Sequence, residues 1–200
     1  MSSSATVELL GITPNAERLI EEAGRTCYLS FDKMGDDSHK RFIRMIIKNG
    51  HHSVLEHASA TFRIKGGSRS FTHQIVRHRM ASFSQQSQRY VDEHGFQVVT
   101  PGSIEQNPEA LKVFNEAVAH CREAYAKLKA MDIRKEDARF VLPNAATSEI
   151  VITANFREWR HIIDMRTEKG AQWEIREISE QILKELAKHA PTVFEDMAQA

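Results

Sequence analysis

A fourteen-residue segment, RHRMASFSQQSQRY at 77–90, is rich in arginine, serine and glutamine and offers little apolar surface for burial. Neither secondary-structure propensity nor packing explains this composition. Guanidinium groups carry planar, paired donors that match phosphate oxygens, and one charge-assisted hydrogen bond contributes about 1.5 to 3 kcal/mol. Serine hydroxyls and glutamine amides add neutral donors and acceptors that suit the edge of a heteroaromatic ring. The segment therefore predicts a site for a phosphorylated ligand.

The charge around this segment has one sign. Between Glu56 and Asp92 the chain has no Asp or Glu, although the whole chain balances 27 basic against 27 acidic residues. The basic residues of this stretch are Arg63, Lys65, Arg69, Arg77, Arg79 and Arg89, with His57, His73 and His78 among them. Such a block predicts a local anion site or a basic face. The alternative is a solvated surface patch whose charge is balanced by acids elsewhere in the fold.

Arg166 is a second candidate for chemistry. If residues 155–167 form one helix, the buried stripe consists of Phe156, Trp159, Ile162 and Ile163. Asn155 and Arg166 project into that stripe, and no acid of the predicted helix lies on it. An inward guanidinium is costly unless it is paired. The pattern therefore predicts an anion from elsewhere, which is either a ligand or a distant Asp or Glu in a buried ion pair.

The opposite side of the same predicted helix carries Arg157 and His161, four residues apart. Arg160 and Asp164 lie close to them and have the spacing of an i,i+4 ion pair. The residues alone therefore predict a solvated face with one exposed Arg160–Asp164 pair.

Hydrophobic spacing predicts the elements that must position these residues. Strands are predicted at TVELLG, ATFRIKGG and FQVVTP, whereas SEIVITANF is either a buried strand or the start of a helix. Helices are predicted at NAERLIEEAGRTCY, KRFIRMIIKNG, SRSFTHQIVRHRM, 108–131, NFREWRHIIDMRTEKG and AQWEIREISEQILKELAKHA. With no repeat or linker, residues 1–200 are expected to form a single helix-rich α+β domain with a small antiparallel or mixed sheet.

Local signals refine the element ends. Ser38 is expected to cap the second helix, and Ser53 with Glu56 has the capping-box pattern of a short helical turn. Gln74 and His78, four residues apart, are expected to share one face of the third helix. Pro191 is expected to close the last helix.

Composition excludes several classes of protein. With 41% apolar and 27% charged residues, the chain has the balance of a globular protein. No apolar run is long enough to cross a membrane and the start lacks a secretory leader, so a cytoplasmic protein without membrane contact is expected. The two cysteines, Cys27 and Cys121, predict free thiols in a reducing compartment. Neither they nor the histidines show metal-ligand spacing, so no metal is expected.

Four ordered motifs resemble one enzyme family. RHR at 77–79, then seven residues, then Ser87, continuing through Arg89 and Tyr90, resembles the signature of the flavin-dependent thymidylate synthases, which methylate dUMP to dTMP. HHSVLEH resembles the family's His-x-Ser/Thr-x-x-Glu-His segment. ARFVLP and NFREWRHIIDMRTEKGAQWEIR resemble its two C-terminal blocks in the same order. The resemblance spans nearly the whole chain.

Carried over by position, the resemblance implies two sets of binding residues. The set implied for dUMP is Gln74, Arg77, Gln85, Gln86, Ser87, Gln88, Arg89, Arg139 and Arg166. The set implied for FAD is Ser53, Arg77, His78, Arg79, Gln85, Asn155, Arg157 and His161. Arg166 is implied to be catalytic, because a guanidinium beside the uracil ring stabilises the charge that develops there. The family more commonly has Glu where this chain has Gln85, so hydrogen bonding but no negative charge is implied at 85.

The resemblance also implies the co-substrates and the assembly. Methylenetetrahydrofolate supplies the carbon, FAD reduced by NADPH supplies the electrons, and tetrahydrofolate is released. A homotetramer with sites formed between subunits is implied, with no nucleic-acid polymer as partner. Because the chain has no G-x-G-x-x-G sequence, the FAD pyrophosphate is expected on the RHR segment and at Ser53.

No side chain has the surroundings of a covalent nucleophile. Neither cysteine has an evident base, and Ser87 has only neutral amides beside it in sequence, so Ser87 is assigned to binding. From the residues alone, a basic single-stranded nucleic-acid-binding protein stays open as the alternative. Such a protein combines Arg and Gln with aromatic side chains such as Phe83 and Tyr90.

Overall fold

A four-stranded antiparallel sheet carries the fold, which is α+β in the computed structural model of residues 5–198. The strands are β1 (Thr6–Ile12), β2 (Ser59–Ser68), β3 (Ser82–Gln85) and β4 (Thr147–Asn155). Their order across the sheet is β1-β2-β4-β3. Every second side chain of β4 is buried, the period expected for a strand with one face on a core.

Helices make up most of the remaining chain. In chain order they are α1 (Ala16–Thr26), α2 (Ser38–Lys48), α3 (Arg69–Ile75), α4 (Gly102–Glu105), α5 (Pro108–Ala130), α6 (Lys135–Ala138), α7 (Phe156–Thr167), α8 (Trp173–His189) and α9 (Pro191–Ala198). Short 3-10 helices lie at Phe31–Lys33, His52–His57 and Arg139–Val141. Every helix within residues 5–198 is too short or too polar to cross a bilayer.

Two compact units divide the chain. Unit 1 comprises Ile64–Ile75 and Ser84–Ile150 together with Ala5 and Thr6. Unit 2 comprises Val7–Arg63, Val76–Phe83 and residues 151–198. The polar segment at 77–90 is thus split, because its RHR residues belong to unit 2 and its Gln and Arg residues from Gln85 onward to unit 1.

Each unit has its own apolar packing. In unit 1, Phe96, Val118 and Ala146 are buried together and Cys121 of α5 packs against them. In unit 2, the predicted stripe of α7 is buried, and the ring of Trp159 meets Phe62 edge-on at 5.3 Å between centroids. Burial of one such large side chain contributes roughly 1.5 to 3 kcal/mol. These packed elements give the polar side chains a rigid base.

The prediction for the third helix is wrong in length. α3 ends at Ile75, so Gln74 and His78 do not share a helix face. The cause is a tertiary contact, because the His78 side chain is buried and bonds to Arg166 of α7. Such contacts override the modest helical propensity of a polar segment.

Both predicted serine caps are wrong. Asp37 precedes α2, while the Ser38 hydroxyl donates to Glu21 Oε2 over 2.7 Å. The 3-10 helix at His52–His57 confirms the predicted turn but has no side-chain cap at its start. Glu56 pairs instead with Arg157 at 2.6 Å, because a guanidinium is a stronger partner for a carboxylate than a backbone N–H.

Other predicted elements differ in extent. FQVVTP forms only an isolated bridge between Val98 and Ala146. SEIVITANF, left open between strand and helix, is β4 followed by the first residue of α7. Pro191 follows the end of α8, as expected, but also begins α9, which the sequence did not predict. Proline is favoured at the first helical position because it needs no hydrogen-bond acceptor there.

Candidate functional site

The polar side chains of unit 1 begin with Gln85, the last residue of β3. Its amide nitrogen donates to the hydroxyls of Thr72 and Ser148, at 3.1 and 3.2 Å. Thr72 lies on α3 and Ser148 on β4, and both residues are buried. The site therefore uses a neutral amide at position 85, and a carboxylate there would have to accept from these hydroxyls rather than donate to them.

Gln86 is fixed by a buried acid. Its amide nitrogen donates to Glu93 Oε1 over 3.1 Å, and the Glu93 backbone N–H donates to the Tyr125 hydroxyl over 3.2 Å. Burial raises the pKa of Glu93, partly offset by the Gln86 hydrogen bond and the nearby charge of Arg69. Gln86 is therefore held in place by Glu93. The consecutive side chains of Gln85, Gln86, Ser87 and Gln88 make up the polar cluster of unit 1.

Gln88 is the residue of this polar cluster whose side-chain donor has no hydrogen-bond partner within residues 5–198. Its residue is only 7% exposed, and its amide nitrogen is buried without a hydrogen-bond partner in the part of the chain that the structure describes. An unpaired buried donor of this kind costs about 1 to 3 kcal/mol. Beside it, the half-buried Ser87 hydroxyl accepts a hydrogen bond from the Arg89 backbone N–H over 3.3 Å.

Two arginines of unit 1 that are implied to bind the dUMP phosphate, Arg89 and Arg139, both contact Glu136 of α6. Arg89 Nε lies 3.1 Å from Glu136 Oε2, and Arg139 Nε donates to the Glu136 carbonyl over 3.1 Å. Arg69, which the sequence analysis did not assign, belongs to the same group. Burial and the positive charge of Arg139 lower the pKa of Arg69. The only feature of the sequence that pointed to Arg69 was its position between Glu56 and Asp92, where the chain has no Asp or Glu.

Gln74 also lies in unit 1, on α3. Its half-buried amide donates to the Ser70 carbonyl over 3.2 Å. The structure therefore places seven of the implied dUMP residues in unit 1: Gln74, Gln85, Gln86, Ser87, Gln88, Arg89 and Arg139.

In unit 2, Arg166 and His78 are bonded directly. Arg166 Nε donates to His78 Nε2 over 2.9 Å. Burial, together with the charges of Arg166 and His161, lowers the pKa of His78 from 6.5 to about 4. The pKa of Arg166 is also lowered, first by burial and then by Arg77. At neutral pH a neutral imidazole therefore accepts the hydrogen bond of a half-buried guanidinium.

A buried acid accompanies Arg166 on its own helix, although the sequence pattern predicted none on that stripe. Glu158 is 9% exposed, and its Oε1 lies 3.8 Å from His78 Nδ1. Burial raises the pKa of Glu158. Because His78 is neutral, this is a contact between a carboxyl group and a ring N–H rather than an ion pair. Helical periodicity alone did not predict that Glu158 is buried, because its partner His78 lies in a loop that is distant in the sequence.

The larger cavity of unit 2 has a volume of about 810 Å³, which is within the size range of small-molecule sites. Three implied FAD residues line it: Asn155, Arg157 and His161. Asn155 caps α7, since its Oδ1 accepts from the Glu158 N–H over 2.9 Å. The predicted Arg160–Asp164 pair is wrong, because Arg160 bonds to Asp196 of α9 at 2.6 Å. A bidentate pair to a second helix outcompetes a pair along one helix.

Of the other implied FAD residues, Gln85 belongs to unit 1 and the rest lie elsewhere in unit 2. Ser53 lines a second cavity of about 680 Å³, together with Arg41, His51 and Cys27. Arg77 and Arg79 are exposed and follow α3, on either side of the buried His78. Within residues 5–198, no three His, Cys, Asp or Glu side chains are grouped so as to hold a metal ion.

Comparison with known proteins decides the family. Residues 8–192 match the profile of a family described as thymidylate synthase complementing protein. A flavin-dependent thymidylate synthase of Mycolicibacterium vanbaalenii is 46% identical over 195 residues, covering 89% of this chain and 78% of its own. The chain belongs to the flavin-dependent thymidylate synthase family. A family member from Geobacter sulfurreducens is 44% identical, covering 95% of this chain and 85% of its own.

A third relative, the flavin-dependent thymidylate synthase of Corynebacterium glutamicum, is 43% identical over 96% of this chain and 84% of its own length. Membership in the flavin-dependent thymidylate synthase family confirms the resemblance drawn from the four motifs. The polar cluster of unit 1 and the Arg166–His78 pair of unit 2 both lie within the matched residues.

Proposed function

We propose that this protein catalyses the reductive methylation of dUMP to dTMP, with methylenetetrahydrofolate as carbon donor and FAD reduced by NADPH as electron source. The observation that carries this proposal is the family match over residues 8–192. In the reaction, C5 of uracil gains the methylene carbon and loses its proton, a hydride equivalent of two electrons and one proton completes the methyl group, and the bond between that carbon and the folate breaks to release tetrahydrofolate.

The nucleotide is proposed to bind through two kinds of group. Arg89 and Arg139 offer guanidinium donors for the phosphate, and Arg69 adds a third positive charge close to Arg139. The buried amide nitrogen of Gln88 and the hydroxyl of Ser87 supply neutral donors for the sugar and base. The unpaired state of the Gln88 nitrogen supports this assignment because a bound ligand oxygen would satisfy it.

Arg166 is proposed as the catalytic residue. Half-buried and fixed by His78, it presents positive charge in a medium of lower dielectric than water. Charge that develops on the uracil ring during addition is stabilised more strongly there than at an exposed guanidinium. Arg77, whose charge already lowers the pKa of Arg166, belongs to the same positive region and is assigned to the nucleotide and to FAD.

The residues of unit 2 fit a flavin dinucleotide. The larger cavity offers the exposed side chains of Arg157 and His161 beside the cap of α7, a donor set suited to phosphate and ring edges. We assign FAD to Asn155, Arg157 and His161 in this cavity, to Ser53, and to the Arg77, His78 and Arg79 run, with Gln85 of unit 1. When bound, the flavin supplies the two electrons, and the protein orients the reactants and excludes water.

A protein nucleophile is not part of the proposal. Cys121 is packed in the apolar cluster of unit 1, and Cys27 is exposed at the end of α1. The Ser87 hydroxyl accepts from the Arg89 backbone N–H, and no hydrogen bond links it to a base within residues 5–198, which suits binding. We further propose that residues 1–200 act as one domain, in a cytoplasmic homotetramer whose sites are formed between subunits.

A titration distinguishes this proposal from a nucleic-acid-binding protein. We expect the protein to bind dUMP measurably in calorimetry and to bind thymidine only weakly, because the arginines recognise the phosphate. A short oligothymidylate serves as the competitor. Tight oligonucleotide binding without dUMP binding would favour the single-stranded nucleic-acid alternative.

A further inference from the structure

Glu158 is an almost buried carboxyl group for which the nucleotide and flavin assignments give no role. Its side chain is 11% exposed, on the wall of the larger cavity of unit 2. Burying a carboxyl group costs free energy unless a partner compensates. The closest polar side-chain contact recorded for it within residues 5–198 is His78, whose side chain is 3% exposed.

The hydrogen bonds of His78 fix where its proton lies. A neutral imidazole has one N–H and one acceptor nitrogen. Because Nε2 accepts the hydrogen bond of Arg166 Nε over 2.9 Å, the proton must be on Nδ1. Nδ1 is the nitrogen that lies 3.8 Å from Glu158 Oε1. Glu158, His78 and Arg166 thus follow one another in a single line of polar contacts.

The neighbouring ring reinforces this arrangement. His161, one helical turn after Arg157, meets the His78 ring edge-on at 5.7 Å between centroids. His161 also interacts electrostatically with Glu158 and lowers its pKa, against the larger opposite effect of burial. His78 is therefore held by ring packing on one side and by polar contacts at both nitrogens.

We propose that Glu158 is a positioning residue for Arg166. Its carboxyl oxygen favours the His78 tautomer with the proton on Nδ1, and this tautomer leaves Nε2 to accept from Arg166 Nε. The guanidinium is planar, so a fixed Nε–H sets the plane in which the other N–H groups of Arg166 point. Orientation of this kind matters because small misplacements of a reacting group reduce rates strongly.

The identity of the ligand beside Arg166 rests on the proposed function, whereas the three-residue arrangement does not. The first experiment therefore contains no nucleotide. Long-range proton–nitrogen correlation spectra of the nitrogen-15-labelled protein report the tautomer of each histidine, and the His78→Gln variant assigns the His78 signals. We expect a protonated Nδ1 and an unprotonated Nε2 at neutral pH. A His78 ring protonated on Nε2 would overturn the proposal.

Variants then test whether Glu158 controls this state. Glu158→Met removes the acceptor oxygens at similar size and is expected to shift the His78 tautomer and weaken dUMP binding about tenfold. Glu158→Gln keeps one acceptor oxygen and is expected to retain dUMP affinity within about threefold. Because His78 and the cavity that Glu158 lines are assigned to FAD, dUMP affinity is compared between variants loaded with FAD, with the bound flavin quantified by absorbance.

The matched control is Glu185→Met, which removes a carboxyl group of α8 that pairs with Lys188 and does not line the cavity. It should change neither the His78 tautomer nor dUMP affinity. Unchanged tautomer and affinity in folded Glu158→Met would contradict a positioning role, and if that variant does not fold, the spectrum of the unmodified protein still decides. Failure of the unmodified protein to bind dUMP would contradict the proposed function alone.

Discussion

Arg89 of the polar segment is paired with Glu136 of α6, with 3.1 Å between Nε and Oε2. Both side chains are partly exposed, and the Glu136 carbonyl also accepts from Arg139. Glu136 therefore contacts Arg89 through its carboxylate and Arg139 through its backbone carbonyl. In the proposed binding mode, the carboxylate competes with the dUMP phosphate for Arg89. An exposed pair of this kind contributes only about 0 to 1 kcal/mol, so under the proposed binding mode a phosphate that accepts from several donors displaces it.

Glu136→Gln should consequently tighten dUMP binding, because Arg89 no longer has to leave a carboxylate. We expect roughly a two- to fivefold lower Kd at low ionic strength, with the gain fading as salt is added. Calorimetric titration measures it. Glu116→Gln, which breaks an exposed pair with Lys112 on α5, is the control and should leave the Kd unchanged. Weaker dUMP binding in Glu136→Gln would contradict the assignment of Arg89 to the phosphate.

Arg166→Ala tests the catalytic assignment. Loss of a preorganised cationic donor typically lowers kcat on the order of 100-fold or more, so dTMP formation should nearly stop. Affinity for dUMP should fall as well, while FAD stays bound. Product analysis at saturating dUMP and flavin absorbance after gel filtration measure the two effects. Retained turnover would remove Arg166 from the catalytic role.

Ser87→Ala separates binding from covalent catalysis. If Ser87 only donates to and accepts from the nucleotide, dUMP affinity should weaken about fivefold, the size of one neutral hydrogen bond. Turnover at saturating dUMP should persist. Complete loss of turnover with normal dUMP binding would identify Ser87 as a nucleophile instead.

His78 should make stability depend on pH in a defined direction. Its pKa is about 4 in the folded protein and 6.5 as the ordinary value, so between these values the unfolded chain binds a proton that the folded chain does not. Stability from this group is therefore lost as pH falls below about 6.5. The raised pKa values of Glu93 and Glu158 act in the opposite sense, because between pH 4.5 and those raised values the folded chain binds protons that the unfolded chain does not.

The pH effect is measured by urea unfolding between about pH 7 and pH 5, and the contribution of His78 is the difference between the unmodified protein and a His78 variant. His78→Gln should flatten the dependence relative to the unmodified protein. His120→Gln, an exposed residue of α5, should leave it unchanged. An equal slope in His78→Gln would show that His78 is not buried in the neutral form.

The elements that could be predicted from the sequence are those that local hydrophobic periodicity determines. The long helix α5, the stripe of α7 and the strand β2 were predicted because apolar residues recur at helical or strand spacing. The motif at 77–90 predicted a site for a phosphorylated ligand, which stays a prediction, and within it Gln85, Gln86 and Gln88 are partly or fully buried. The signal there was polar composition that packing does not explain.

What the sequence missed depends on contacts between distant residues. Ser38 and Ser53 have sequence patterns of caps, yet Glu21 and Arg157 supply competing partners far away in the chain. The end of α3 is set by the burial of His78 against α7, which no local pattern contains. Arg69 and Glu158 were missed for the same reason, since their roles follow from neighbours 70 and 80 positions away.

The most direct test of the account is anaerobic turnover followed by the flavin spectrum. Purified protein supplied with FAD should show flavin absorption bands that bleach when NADPH is added. Addition of dUMP and methylenetetrahydrofolate should then restore the bands and yield dTMP with tetrahydrofolate. A protein that takes up no flavin and forms no dTMP under these conditions would contradict the proposed function.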